Sequence, residues 1–92
     1  DIFVCKPGNA SKLAKMCKES MGADKNLVNI MTDMTGWFNR VIVVSKYESL
    51  TAYEESWKQY ENPTPEMKES MKKMDGYQDM YLTGSREIYK VW

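Results

Sequence analysis

The chain has 92 residues and carries 13 basic and 13 acidic side chains, so its formal net charge is zero. A chain of this length is typical of one domain, and it buries a smaller share of its surface than a larger protein does. Self-association would supply some of the missing core. Without net positive charge, the chain lacks the attraction on which binding to DNA, RNA or an acidic membrane depends. We therefore expect neither nucleic acid nor a membrane as a partner.

The sequence contains no histidine. The chain thus lacks the usual general acid or base near neutral pH, the commonest metal ligand and the usual proximal haem ligand. Cys5 and Cys17 are too few for a disulfide framework or an iron–sulfur cluster, and we expect both to be buried free thiols. The aspartates are scattered without metal-ligand spacing. We assign no metal and expect no bound cofactor.

No part of the sequence approaches the roughly 20 consecutive apolar residues needed to cross a bilayer. The opening DIFVCKPGNASK also lacks the basic and then apolar layout of a signal peptide. We expect a cytoplasmic protein.

The first half of the chain predicts a strand, a helix and a hairpin. A short apolar strand at Ile2–Cys5 is stopped by Pro7-Gly8. A helix follows, capped by Asn9 or Ser11 and ended by Gly22, because apolar residues recur at helical spacing at Leu13, Met16, Cys17 and Met21.

Two strands, at 27–34 and 38–45, are predicted to form the hairpin, with Thr35-Gly36 between them. The second of them contains the unbroken apolar run Val41-Ile42-Val43-Val44. A strand with one wet face alternates in polarity, whereas a strand covered on both faces need not. This third strand of the chain is therefore predicted to be covered on both sides.

A second helix is predicted after Ser49 or Thr51, with an apolar and aromatic stripe at Leu50, Tyr53, Trp57 and Tyr60. It should end at Asn62-Pro63. A third helix then follows, capped by Thr64, with a stripe at Met67, Met71 and Met74 and an end at Asp75-Gly76. This proline-flanked segment is either a flap over a cleft or an ordinary helical insertion.

The closing segment, residues 81–92, is predicted as the fourth strand. After Gly84 it reads REIYKVW, in which Arg86, Ile88, Lys90 and Trp92 alternate with Glu87, Tyr89 and Val91. We find no linker, internal repeat or low-complexity stretch, so residues 1–92 are interpreted as one domain.

The order β-α-β-β-α-β predicts an α+β, ferredoxin-like fold, with a four-stranded antiparallel sheet covered on one face by both helices. The opposite face would then be bare, although the third strand needs cover there. A homodimer formed through the sheet face, in which two sheets close into a dimeric α+β barrel, supplies that cover.

The hairpin TDMTGWFNRVIVVSKYESL, the helix TAYEESWKQYE and the closing segment GSREIYKVW resemble those of the dimeric α+β barrel superfamily, over nearly the full length. That superfamily includes antibiotic-biosynthesis monooxygenase-like and stress-responsive barrel proteins. The resemblance implies a homodimer with a ligand cleft between each sheet and its helices. Its members include cofactor-free oxygenases, isomerases, haem-degrading enzymes, haem peroxidases and proteins with no assigned reaction.

In the cofactor-free oxygenases and haem degraders of this superfamily, an Asn, a Trp and sometimes a Tyr orient substrate and oxygen. Asn29 and Trp57 are the nearest matches here, by the element on which they lie. The haem-degrading branch also requires a histidine on the second helix. This chain has none.

These observations lead to two functional hypotheses. The first is a small-molecule-binding protein whose site for a planar hydrophobic ligand is lined by Tyr53, Trp57, Tyr60, Asn29 and Arg40. If it is an enzyme, we expect a cofactor-independent oxygenase or isomerase. The second is a non-catalytic dimeric module for ligand sensing or assembly, because no acid, base or nucleophile constellation is recognisable. Core packing would equally explain the aromatic stripe, and exposed strand ends would explain Asn29 and Arg40.

Overall fold

The computed structural model describes residues 1–92. The strands are β1 (Ile2–Cys5), β2 (Leu27–Thr32), β3 (Arg40–Ser45) and β4 (Tyr81–Ser85). The helices are α1 (Ala10–Met21), α2 (Leu50–Lys58) and α3 (Pro65–Lys72), followed by a 3-10 turn at Tyr77–Asp79. The strands form one antiparallel sheet in the order β2-β3-β1-β4. The predicted α+β, ferredoxin-like fold is confirmed.

Local signals in the sequence explain where the helices begin and end. The Ser49 hydroxyl accepts a hydrogen bond from the backbone N–H of Ala52 at 3.0 Å, and the Thr64 hydroxyl accepts one from Met67 at 3.2 Å. Both are N-caps, which satisfy backbone donors that the first turn leaves free. α1 ends at Gly22, where a Cβ atom would lie 2.5 Å from the carbonyl oxygen of Lys18.

The core lies between α1 and the centre of the sheet. Its buried residues are Cys5, Leu13, Cys17, Val41 and Val43. Both cysteines are free, as predicted. Burial raises the pKa of the two thiols, because a thiolate is poorly solvated there.

The second helix does not take the place that the sequence predicts. α2 has no buried residue, whereas Met74, Tyr77 and Met80 pack against the core. α3 lies beside α1, and the Ser20 hydroxyl on α1 donates a hydrogen bond to the carbonyl oxygen of Ser70 at 3.0 Å. The prediction that α2 covers the sheet is therefore wrong, because the segment after α3 already occupies that part of the core.

The fourth strand is also shorter than predicted. β4 ends at Ser85, and residues 86–92 are exposed and lie outside any strand. The ladder between β1 and β4 ends at the pair Ile2–Ser85, so from Arg86 onward the chain has no neighbouring strand with which to form hydrogen bonds.

The hairpin loop is longer than predicted, because β2 ends at Thr32 and β3 starts at Arg40. The Asp33 carboxylate accepts hydrogen bonds from both the backbone N–H and the guanidinium of Arg40, and Asn39 has a left-handed backbone with φ +62°. Because these contacts close the loop at its base, the ladder between β2 and β3 does not reach Phe38.

The residues of β3 alternate between the two faces of the sheet. Val41 and Val43 are buried beneath the helices, so Ile42 and Val44 lie on the opposite face, which we call the open face. The antiparallel register places further apolar residues on the open face, namely Ile2, Val4 and Met31. The predicted apolar strand thus has one face covered within the chain and the other left open.

None of the helices has the length and apolar character required to cross a bilayer.

We predict that Leu13→Ala lowers the free energy of unfolding by about 2–5 kcal/mol, because it leaves a cavity in the core. The side chain of Leu13 is 0% exposed, whereas that of Leu50 on α2 is 72% exposed. Leu50→Ala is the matched control and should change stability by less than about 0.5 kcal/mol. Urea unfolding at one protein concentration measures both. Equal losses for the two variants would contradict this description of the core.

Candidate functional site

Four aromatic rings follow one another along α2 and the connection that precedes it. The ring centroids of Tyr47 and Tyr53 are 5.2 Å apart, those of Tyr53 and Trp57 are 6.2 Å apart, and those of Trp57 and Tyr60 are 5.5 Å apart. Helical spacing brings Tyr53 and Trp57 to one side of α2, and the turn after the helix places Tyr60 beside Trp57. We call these four residues the aromatic series.

The aromatic series remains open to solvent, because α2 buries none of its residues. Trp57 is 43% exposed and Tyr60 is 48% exposed, while Tyr53 is half-buried. The pKa of Tyr60 is raised, mainly by partial burial and further by the negative charge of Asp24. Tyr60 is thus a neutral ring with a hydroxyl group at physiological pH.

Arg86 adds a cation to this group of rings. Its guanidinium carbon lies 4.5 Å from the centroid of the Trp57 ring, which is a cation–π distance. Its Nε atom also donates a hydrogen bond of 2.7 Å to the Asp1 carboxylate. Sequence reasoning placed Arg86 in the fourth strand and did not connect it with Trp57, because the contact depends on tertiary structure.

Arg40, a predicted site residue, lies at the opposite end of β3. The length of this strand, roughly 17 Å at about 3.3 Å per residue, separates it from the end to which Tyr47 is attached. Its guanidinium is held by Asp33 at 3.0 Å and lies 5.2 Å from the centroid of Trp37. The structure thus gives Arg40 a position at the base of the hairpin loop.

Asn29 lies opposite Val44 in the ladder between β2 and β3, so it belongs to the open face and is exposed. Of the five predicted ligand-binding residues, Tyr53, Trp57 and Tyr60 contact one another in series, whereas Asn29 lies on the open face and Arg40 at the base of the hairpin loop. A ligand-binding role for each of them stays a prediction.

Two of the open depressions on the surface are described here by their lining residues. One lies along α3, and its lining residues are Pro63, Lys68, Met71, Lys72 and Asp75. The other lies where β1 and β4 pair, and its lining residues are Asp1, Phe3, Tyr81, Gly84, Ser85 and Arg86. The second depression adjoins the aromatic series through Arg86.

The ionisable groups do not form a reactive cluster. No three histidine, cysteine or carboxylate side chains are close enough to hold a metal ion together. The carboxyl group with a displaced pKa is Asp33, whose pKa is lowered because the Arg40 guanidinium donates hydrogen bonds to it. A carboxylate bound in this way is a weak base, so its role is to fix Arg40.

Comparisons with known proteins do not assign the chain to a family: no protein-family model matches it, and no curated protein is significantly similar to it. The ferredoxin-like fold is compatible with the resemblance to the dimeric α+β barrel superfamily.

We predict that the contribution of Asp33 to stability is complete above its ordinary pKa of 3.8 and is lost as the pH falls through its lowered folded-state value. Arg40→Gln removes the donor, so the pKa of Asp33 should return towards the ordinary value. NMR titration of the side-chain carboxyl carbon measures this. An identical Asp33 pKa in both proteins would contradict the proposed role of Arg40.

Proposed function

We propose that the protein functions as a homodimeric module in which the open faces of two sheets pack against each other. The observation that carries this proposal is the apolar content of that face, formed by Ile2, Val4, Met31, Ile42 and Val44. Burial of apolar surface is the main favourable contribution to protein association. A second copy of the chain offers a face of the same shape and polarity.

The distribution of polar residues on the open face also supports the proposal. Thr83 and Ser85 pair with Val4 and Ile2 and therefore lie at the β4 side, while Asn29 lies on the edge strand β2. Arg40 is the charged residue on the strands of this face, and Asp33 neutralises it. An apolar centre with a polar rim is typical of homodimer interfaces.

We predict that Val44→Lys converts the dimer to a monomer at micromolar concentration, because it places a charge among the apolar residues of the open face, two residues from Ile42. Val44 is 37% exposed in the protomer, so the lysine can reach solvent once the dimer dissociates. Leu50→Lys on α2 adds the same charge at an exposed apolar position outside the open face and serves as the control. Sedimentation velocity measures the mass of each variant.

A monomeric native chain, or equal dimerisation of the native and Val44→Lys chains, would contradict the proposed interface.

The second candidate function is binding of a planar hydrophobic molecule at the aromatic series. It is favoured because four rings lie in sequence, two of them nearly half exposed, beside the Arg86 guanidinium. Stacking on aromatic rings is the usual way to bind such molecules. Cofactor-independent oxygenation or isomerisation of such a molecule is the reaction class that the superfamily resemblance implies.

We predict that 1-anilinonaphthalene-8-sulfonate, a planar anionic probe, binds the protein and that Trp57→Ala weakens this binding at least about tenfold. A tenfold change corresponds to about 1.4 kcal/mol, within the range for one aromatic contact. Trp37→Ala is the matched control, because Trp37 is also exposed but lies in the hairpin loop. Fluorescence titration measures both affinities, and equal loss in the two variants would rule out the aromatic series as the site.

We also propose a cytoplasmic location. The two buried cysteines are both free thiols, which fits a reducing compartment.

A further inference from the structure

The hairpin loop that joins β2 to β3 carries three strongly exposed apolar side chains. Met34 is 96% exposed, Phe38 is 81% exposed and Trp37 is 64% exposed. We call these three residues the loop tip. Side chains as exposed as these project into solvent and make few contacts with the rest of the protein. A cluster of large apolar side chains is unusual on a free surface and indicates that a partner covers it.

The backbone of the loop is fixed at its base, so the loop tip projects from a rigid support. Gly36 has φ +82° and Asn39 has φ +62°, a left-handed conformation that is uncommon for residues other than glycine. The Asn39 carbonyl oxygen accepts a hydrogen bond of 2.7 Å from the backbone N–H of Cys5. The hydrogen bonds between Asp33 and Arg40 hold the other side of the base. The sheet therefore presents the loop tip in a defined position.

The loop itself is uncharged, and the charges that flank it balance. Its sequence between Asp33 and Arg40 is MTGWFN, and the two flanking residues form an ion pair with each other. Lys6 lies at the same end of the sheet, where its backbone N–H donates to the carbonyl oxygen of Met80, next to the exposed Asp79. The surroundings of the loop thus favour neither an anionic nor a cationic partner.

We propose that the loop tip inserts into the interfacial layer of a lipid bilayer. Aromatic side chains are concentrated at the boundary between water and membrane, where apolar rings are buried among headgroups and outer acyl chains. A projecting apolar tip suits a surface that yields around it, whereas a small molecule needs a concave site. The expectation that the protein has no membrane partner was based on its zero net charge. It concerns electrostatic attraction, on which apolar insertion does not depend.

The dimensions of the loop limit how deeply it can insert. Gly36 is three residues from Asp33, so it lies at most about 10 Å beyond the base of the loop. The hydrocarbon layer is about 30 Å thick, and interfacial segments are buried about 5–10 Å, so the loop tip reaches the interface and not the bilayer centre. The backbone agrees with a shallow position. Residues 34–38 make no backbone hydrogen bonds within the chain, and only an interface with water present satisfies them.

Flotation of the full chain with lipid vesicles tests the inference. The native protein should bind vesicles of phosphatidylcholine, and adding phosphatidylserine should change its partition coefficient by less than about twofold. Raising NaCl from about 0.1 M to about 0.5 M should not release it, because the contact is apolar. Failure to bind phosphatidylcholine, or binding that needs phosphatidylserine and is lost in salt, would overturn the inference.

Serine variants identify the part of the protein that inserts. Trp37→Ser and Phe38→Ser should each lower the partition coefficient at least about fivefold, because each removes an apolar ring from the inserted surface. Trp57→Ser is the matched control, since Trp57 is 43% exposed and contacts Arg86 beyond the end of β4 that is opposite to the loop. It should leave the coefficient unchanged.

Two results with these variants would contradict the inference. The first is an equal loss of vesicle binding in Trp57→Ser and in the two loop variants. The second is dissociation of a native dimer by Trp37→Ser in sedimentation velocity, because the loop tip would then be covered by a second copy of the chain. Neither result depends on whether the open face forms the proposed dimer.

The fluorescence of Trp37 reports its depth directly. The chain has three tryptophans, so Trp57→Phe combined with Trp92→Phe leaves Trp37 as the sole emitter. Its emission should shift to shorter wavelength when phosphatidylcholine vesicles are added. Lipids brominated near the headgroup end of the acyl chain should quench it more strongly than lipids brominated near the chain terminus. An unshifted emission in vesicle-bound protein, or stronger quenching from the chain terminus, would overturn the inference.

Discussion

The structure depends on the pairing of β3 with strands on both of its sides. Its ladders to β1 and β2 fix which face of the sheet each of its residues occupies. Val41 and Val43 therefore lie in the core beneath α1, and Ile42 and Val44 necessarily lie on the other face. The strand cannot bury all four residues within one protomer. The apolar open face is a direct consequence of a strand whose apolar residues are not interrupted by polar ones.

The rest of the chain is arranged around the sheet face that carries Val41 and Val43, which is the face buried in the core. α1 and the segment that follows α3 fill the space above the sheet, and α2 is left without a buried side chain. Its aromatic residues contact one another and Arg86, so they form an exposed series of rings. The features that we connect with function are thus those that the core does not use: the open face and the aromatic series.

The elements set by local signals were predictable from the sequence. β1 and α1 have the predicted positions, and Ser49 and Thr64 cap their helices as expected. The failures concern competition between distant segments. Two amphipathic stretches could cover the same part of the sheet, and their patterns alone do not tell which one does.

The candidate site shows the same limit. Tyr53 and Trp57 share α2, and Tyr60 lies in the turn that ends it, so the proximity of the three rings follows from spacing. Arg40 and Asn29 were grouped with them by element alone, whereas the face and the end of the sheet on which a residue lies depend on register.

The most direct test of the open face as an interface is an isotope-filtered NOE experiment on a mixture of labelled and unlabelled protein. Intermolecular NOEs between the methyl groups of Ile42 and Val44 and those of a second copy are the predicted result, and their absence in a sample of dimeric mass would contradict it.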